Sequence, residues 1–228
     1  MTALPIMIFA AGFGTRMGAL TRDNPKPMIR VSGRALIDHA LTLVEAHGAG
    51  PVVINLHYRA DVLQAHLADQ PATLLTETPD ILDTGGGLKA ALPHLGQGPV
   101  MTLNPDAIWS GPNPLDMLRA AWDDAEMDAL LLCVPLQHAL GREGPGDFED
   151  SGAGRITRPG PLVYGGVQII RTELVQACPD KVFSLNRIWD QMIDKRRLRL
   201  AVYPGTWCDV GRPEGIGLAE SLLAGDHV

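Results

Sequence analysis

The stretch FAAGFGTRMG, from Phe9 to Gly18, sets three glycines around one arginine directly after a short apolar run. Glycines let a backbone turn tightly and come close to a ligand, and an arginine among them offers a planar cationic fork. That combination suits a backbone wrapped around phosphate. A GxG alone makes only a tight turn, but Lys26 changes its weight. It stands between Pro25 and Pro27, which stiffen the chain and limit how the lysine approaches. A rigidly presented lysine a few residues beyond a glycine loop with Thr15 and Arg16 is the composition of a polyphosphate clamp.

Two better-known glycine motifs do not fit. The dinucleotide fingerprint GxGxxG is met at Gly12 and Gly14, but its third position is Met17 and Gly18 comes one residue late. No acidic residue ends the second apolar run at Asn55-Leu56, where a ribose ligand is expected. No Gly-Lys-Ser/Thr follows the loop, which excludes a Walker pattern.

The elements that must position these residues alternate along the chain. Apolar runs at 5–9, 51–56, 73–76, 99–103 and 129–135 read as strands without alternation. Helical patterns cover 35–48, 60–69 and 113–125, with Asn113 as N-cap and Pro114 in the first turn. Repeated β-then-α units with unalternated strands predict a parallel sheet with helices on both faces. Ligands of such sheets lie beyond the carboxyl ends of the strands, where both the glycine loop and Asn104-Pro105-Asp106 fall. After residue 138 the rhythm changes. Residues 141–154 hold five glycines and four acids with Phe148 as the sole strong apolar anchor, and read as a mobile loop or hairpin turn. A strand at 161–171 carries a glycine pair, a helix spans 186–197, a last strand 198–204, and a helix ends the chain. With no repeat or linker, 1–228 reads as one domain.

Composition narrows the function. Of 228 residues, 46% are hydrophobic and 20% charged, as in an ordinary globular domain. A net charge of -7 argues against nucleic acid as the main partner. Cys133, Cys178 and Cys208 are far apart and form no CxxC pair, which suits a reducing cytoplasm and a core role for Cys133. No apolar run reaches the ~20 residues of a membrane span. A soluble cytoplasmic protein without a membrane partner is expected. Oligomeric state leaves no mark in these patterns.

The run AAGFGTRMGALTRDNPKPMIRVSGRALIDHAL resembles the sugar-1-phosphate nucleotidyltransferases, whose signature is AAGxGTRM-x-PLT-x-x-x-PKPM. The likeness continues through DTGGGLKAAL (83–92), LNPDAIW (103–109) and WCDVGRPE (207–214), in order and over nearly the whole chain. The short chain and the TGGG element are most similar to N-acetylmuramate-1-phosphate uridylyltransferases, with short mannose-1-phosphate guanylyltransferases next. The resemblance implies a Rossmann-like three-layer α/β sandwich with a mostly parallel mixed sheet, of the nucleotide-diphospho-sugar transferase type. Its nucleotide-binding half covers about 1–110 and its sugar-binding half about 111–228. The implied partners are an NTP, UTP favoured over GTP or CTP, and a sugar-1-phosphate.

The resemblance also implies roles. Arg16 and Lys26 are catalytic cations, and Ala11, Gly12, Gly14, Thr15, Gly85 and Gly86 bind the nucleotide: N–H groups around Gly12 and Gly14 cradle phosphate, and Ala11, Gly12, Gly85 and Gly86 lie where larger side chains would strike base and ribose. Asn104, Asp147 and Gly166 face the sugar. Asp106 and Asp209 hold Mg²⁺, with Mn²⁺ as a substitute. Two departures stand out: Pro105 replaces the family's usual glycine before the metal aspartate, and Ala19 its usual proline. The 141–154 segment is expected to be a lid over the acceptor sugar. Alternatives are guanylyl transfer to mannose-1-phosphate, a choline-phosphate-type cytidylyltransferase, and an inactive paralogue that senses nucleotide sugars. Retention of Arg16, Lys26, Asp106 and Asp209 together speaks against the last.

Overall fold

The structure is a computed structural model that describes residues 3–48, 50–152 and 154–225. Ala153, within the glycine- and acid-rich segment, lies outside them. Thirteen strands appear among the described residues: β1 Ile6–Phe9, β2 Arg30–Val31, β3 Arg34–Ala35, β4 Val52–Leu56, β5 Thr73–Thr76, β6 Val100–Leu103, β7 Ala107–Ser110, β8 Ala129–Pro135, β9 Ala139–Leu140, β10 Phe148–Asp150, β11 Ile156–Ile170, β12 Leu198–Val202 and β13 Thr206–Asp209. The helices are α1 Leu36–His47, α2 Ala60–His66, α3 Asp83–Leu95, α4 Pro114–Ala121, α5 Glu173–Ala177, α6 Asn186–Asp194 and α7 Glu214–Ala224.

The main sheet has the order β12-β8-β11-β6-β1-β4-β5, with β10 paired to β11. β1, β4, β5 and β6 run parallel, as do β8 and β12; β11 is antiparallel to both β6 and β8. This is the mostly parallel mixed sheet that the sequence implies. The unalternated strands are explained by two cores, one on each face. Ile6 and Ile8 point into a core with Ile37, Val44, Leu115 and Leu118 from α1 and α4. Met7 points the other way, into a core with Leu88, Leu95, Ile188 and Met192 from α3 and α6. Helix ends follow local chemistry. Gly48 closes α1 in the left-handed conformation, and the Asn113 side chain accepts a hydrogen bond from the Leu115 N–H at the start of α4. Cys133 is fully buried in β8, and burial raises its thiol pKa, so it is inert core.

A second, three-stranded sheet, β7-β13-β9, sits beside the first. Three residues separate β6 from β7, which pairs antiparallel with β13, Asp209 opposite Ala107. This pairing brings together two stretches about a hundred residues apart in sequence.

Residues 83–95 form helix α3, which holds the triple glycine. Gly85 and Gly86 are buried within it. Both of their N–H groups donate to the Phe183 carbonyl, at 2.9 and 3.1 Å. A Cβ on Gly85 would strike the Phe183 ring, and one on Gly86 the Lys181 carbonyl oxygen. These glycines let the 181–185 segment lie on the helix; protein, not base or ribose, occupies the missing side-chain space.

Gly86→Ala is therefore expected to lose about 1–3 kcal/mol through overpacking against backbone, outweighing the ~1 kcal/mol that alanine gains in a helix. Gly217→Ala in α7, where nothing lies within 4 Å of the new Cβ, should gain up to ~1 kcal/mol. Urea unfolding midpoints of the two variants should move in opposite directions.

Candidate active site

The glycine loop leaves β1 at its carboxyl end. Ala10 N–H donates to Asn55 Oδ1 at 2.8 Å, and Asn55 Nδ2 donates to Glu77 Oε1 at 2.7 Å. Glu77 Oε2 accepts the Leu82 N–H, also at 2.7 Å. Asn55 and Glu77 are each 3% exposed. A buried carboxylate held only by neutral donors must be satisfied by such bonds, so the chain fixes the loop to the ends of β4 and β5. Sequence reasoning missed this pair. Its signal was a polar residue at the end of an otherwise apolar strand, followed by an acid at the end of the next.

Gly14 has φ +64, and a Cβ there would meet Lys26 Cβ at 2.8 Å and Thr21 Cγ2 at 3.0 Å. Glycine is needed both for the left-handed backbone and for the close seat of Lys26. Thr15 begins the short 3₁₀ helix that follows, and Arg16 is exposed beside Arg212 and Pro213. Gly12 has nothing within 4 Å of where a Cβ would stand. It leaves open space above the loop.

Lys26 Nζ donates to Asp106 Oδ2 at 2.6 Å; the side chains are 12% and 32% exposed. Asp106 follows β6, and its carbonyl accepts the Val210 N–H at 2.9 Å, so Asp209 at the end of β13 is its neighbour. Burial and the Asp106 carboxylate raise the Asp209 pKa above its ordinary value. Lys26, Arg16 and Arg142 pull it the other way. Three of the expected residues, Lys26, Asp106 and Asp209, thus lie together, and Arg16 acts on Asp209 through its charge. Among the described residues no group of three or more acidic, histidine or cysteine side chains forms a metal cage.

Asp106 lines the smaller of two joined clefts. The smaller, about 260 Å³, is lined by Ala11, Gly12, Asn55, Glu77, Ile81 and Asp106, among others. The larger, about 770 Å³, is lined by Arg142, Asp147, Tyr164, Arg158, Asn186 and Trp189, among others. They share Phe9, Asp83, Thr84 and Asn104. The acceptor side differs from expectation in three ways. Gly166, φ +85, does not line the larger cleft; the space of its Cβ is taken by Asn104, whose N–H bonds the Gly166 carbonyl. Asp147 lines the cleft, but its oxygens accept from Arg142 Nη2 at 2.7 Å and the Tyr164 N–H at 2.9 Å. Phe148 is 1% exposed against Trp189, and 148–150 is a strand on β11. The glycine-rich segment is therefore a packed wall of the cleft over those residues, not a free loop.

A family profile of MobA-like NTP transferase domains matches residues 6–176. The N-acetylmuramate α-1-phosphate uridylyltransferase of Caulobacter vibrioides is 39% identical over 96% of both chains. A mannose-1-phosphate guanyltransferase of Hypocrea jecorina is 25% identical over 91% of this chain and 61% of the relative. The crystal structure of HddC from Yersinia pseudotuberculosis, complexed with GMP-PN, superposes with a TM-score of 0.77 at 21% identity, covering 96% of this chain and 99% of that one. No helix among the described residues is long and apolar enough to cross a membrane.

A raised folded pKa means that the Asp209 carboxyl favours the folded state when protonated. Its contribution is largest below the ordinary carboxylate value and is lost as pH rises through the folded value. At pH 7 and without divalent cation, Asp209→Asn should accordingly melt no lower than the unsubstituted protein, and the advantage should fade as the buffer is acidified. Mg²⁺ should raise the melting temperature of the unsubstituted protein and leave that of the variant unmoved.

Proposed function

The chain belongs to the MobA-like NTP transferase family, and within it we propose that it transfers a uridylyl group from UTP to N-acetylmuramate α-1-phosphate. It is an enzyme of the sugar-1-phosphate nucleotidyltransferase kind. The observation that carries the reaction is the contact of Lys26 with Asp106, beside Asp209, with Asp106 on the lining of the smaller cleft, which meets the larger at Phe9, Asp83, Thr84 and Asn104. The choice of substrate follows the Caulobacter relative, which matches along its whole length, whereas the guanyltransferase match is weaker and covers less of its relative. We also propose that the reaction runs in the cytoplasm and serves cell-wall recycling.

In this reading the smaller cleft takes the nucleotide, over Ala11 and Gly12, and the larger takes the sugar. An oxygen of the sugar phosphate attacks the α-phosphorus. The bond from that phosphorus to the bridging β-oxygen breaks, and its electron pair leaves with pyrophosphate. The attacking phosphate is already ionised, so no base is required, and the work is positioning and charge neutralisation. Lys26 serves as a point charge at the α-phosphate, which requires it to leave Asp106 as the triphosphate enters. Arg16, exposed in the 3₁₀ turn that follows the glycine loop, meets the outer phosphates. The first half of the chain is the nucleotide half and the second the sugar half, joined through one sheet.

Asp106 and Asp209 fit Mg²⁺, or Mn²⁺ in its place. They are hard oxygen donors side by side, and both Asp209 oxygens are kept clear by Gly211, whose Cβ would stand 2.8 and 2.9 Å from them. Two carboxylates with the remaining positions left to phosphate and water is the usual protein share of such a site. When bound, the ion supplies neutralisation of phosphate charge.

Pyrophosphate release from a matrix of four NTPs and several sugar-1-phosphates tests the assignment. UTP with N-acetylmuramate-1-phosphate should give the highest kcat/KM, and the signal should vanish with chelator. Greater efficiency with GTP and mannose-1-phosphate would move the protein to the guanylyl branch. Lys26→Ala should cut kcat by about 10²–10³ with the fold intact; near-normal turnover in that variant would remove Lys26 from the mechanism.

A further inference from the structure

Lys26 and Arg16 come from the nucleotide half, yet the acceptor brings its own phosphate to the same two carboxylates. A cation on the acceptor side is needed, and one stands there. β9 runs parallel to β13, Ala139 beside Trp207 and Leu140 beside Cys208. The next step brings Gly141 to Asp209, so close that a Cβ on Gly141 would meet the Asp209 carbonyl oxygen at 2.6 Å. Arg142 follows at once. Glu143 then closes the seam, 3.0 Å from Arg212 Nη2 beyond β13. The position of Arg142 next to the second aspartate is therefore set by strand pairing, not by a loose loop.

The guanidinium is held from its other side. Arg142 Nη2 donates to Asp147 Oδ1 at 2.7 Å, and Asp147 is itself fixed by the Tyr164 N–H. Arg142 Nε is buried and has no acceptor, and no hydrogen bond from Nη1 is found among the described residues. A guanidinium that uses one nitrogen for its own support keeps donors for a ligand. Arg158, the other arginine of the large cleft, is placed differently. Its Nε is also buried without an acceptor, but both its terminal nitrogens are taken, by Asn186 and Asp190, and it lies over the Phe148 ring at 5.0 Å. It therefore belongs to the wall against α6. Arg142 also reaches Asp209 through its charge, as Lys26 and Arg16 do.

We propose that Arg142 binds the phosphate of the incoming sugar-1-phosphate, and that Asp147 is a positioning residue that holds its guanidinium in the wall of the larger cleft. The proposal deepens the uridylyltransferase reading and rests on it. It gives the acceptor phosphate a cation of its own and leaves Lys26 to the nucleotide. The role of Asp147 then differs from the sugar contact implied by the sequence.

The test is bisubstrate kinetics on Arg142→Ala, Arg142→Lys and Asp147→Asn, with UTP and N-acetylmuramate-1-phosphate. Arg142→Ala should raise KM for the sugar phosphate about 10- to 100-fold, the loss of a charge-assisted contact, while KM for UTP stays within about twofold. Asp147→Asn should shift the same constant in the same direction by less, and Arg142→Lys should recover part of the loss. A rise in KM for UTP instead, an equal rise for both substrates, or no change in either overturns the proposal. If Arg142→Ala does not fold, the same split read on Arg142→Lys decides. If the unsubstituted protein turns over no NTP and sugar-phosphate pair, the reaction reading is what has failed. Arg142 is then judged by thermal protection with N-acetylmuramate-1-phosphate: protection that the alanine variant lacks supports it, and equal protection or none overturns it.

Discussion

The site is organised by two carboxylates that the fold forces together. Asp106 leaves β6 and Asp209 ends β13, and the antiparallel pairing of β7 with β13 makes them neighbours. Like charges in a half-buried place repel, and burial adds to the cost of ionising Asp209. Cations must compensate. Lys26 is in contact with Asp106, while Arg16 and Arg142 act on Asp209 from two further segments. A cluster so arranged has an open need for positive charge and carries cations that an incoming phosphate can recruit.

That demand explains features that otherwise look incidental. Gly14 is where Lys26 has to sit, and the flanking prolines limit where else the lysine can go. The buried Asn55–Glu77 pair fixes the start of the loop without adding a mobile charge near the phosphates. The mixed sheet supplies the rest. β11 runs antiparallel between β6 and β8, so the ends of β6 and β1 face a wall built from the second half of the chain. Phe9, Asp83, Thr84 and Asn104 then belong to both clefts, and two ligands can meet at one point.

Much of this was legible in the sequence, for physical reasons that also mark where legibility stopped. The strands of the main sheet were readable because both faces are buried, which leaves unbroken apolar runs at β1, β4, β6 and β8. The nearness of Lys26 to the glycine loop was readable because glycine, arginine and a proline-flanked lysine lie within eighteen residues, and local constraints show in local sequence. The packing of the triple glycine left no mark in the sequence, because a glycine cleared for a ligand and one cleared for another backbone look alike; only the position of Phe183 and Lys181 reveals it. Phe148 read as a lone anchor because its partners, Trp189 and Arg158, come from distant segments. Arg142 carried no local signal at all. Its place is set by the register of β9 on β13, a pairing between residues more than sixty apart.

The central claim is that the Asp106–Asp209 pair is where nucleotide and cation meet, with Lys26 exchanging its carboxylate partner for phosphate. A crystal structure with Mg²⁺ and a non-hydrolysable UTP analogue tests it most directly. The account predicts the metal shared by Asp106 and Asp209, the triphosphate over Ala11 and Gly12, and Lys26 Nζ moved from Asp106 to the α-phosphate. A triphosphate bound away from this junction, or a Lys26 still paired with Asp106 beside a bound nucleotide, would contradict it.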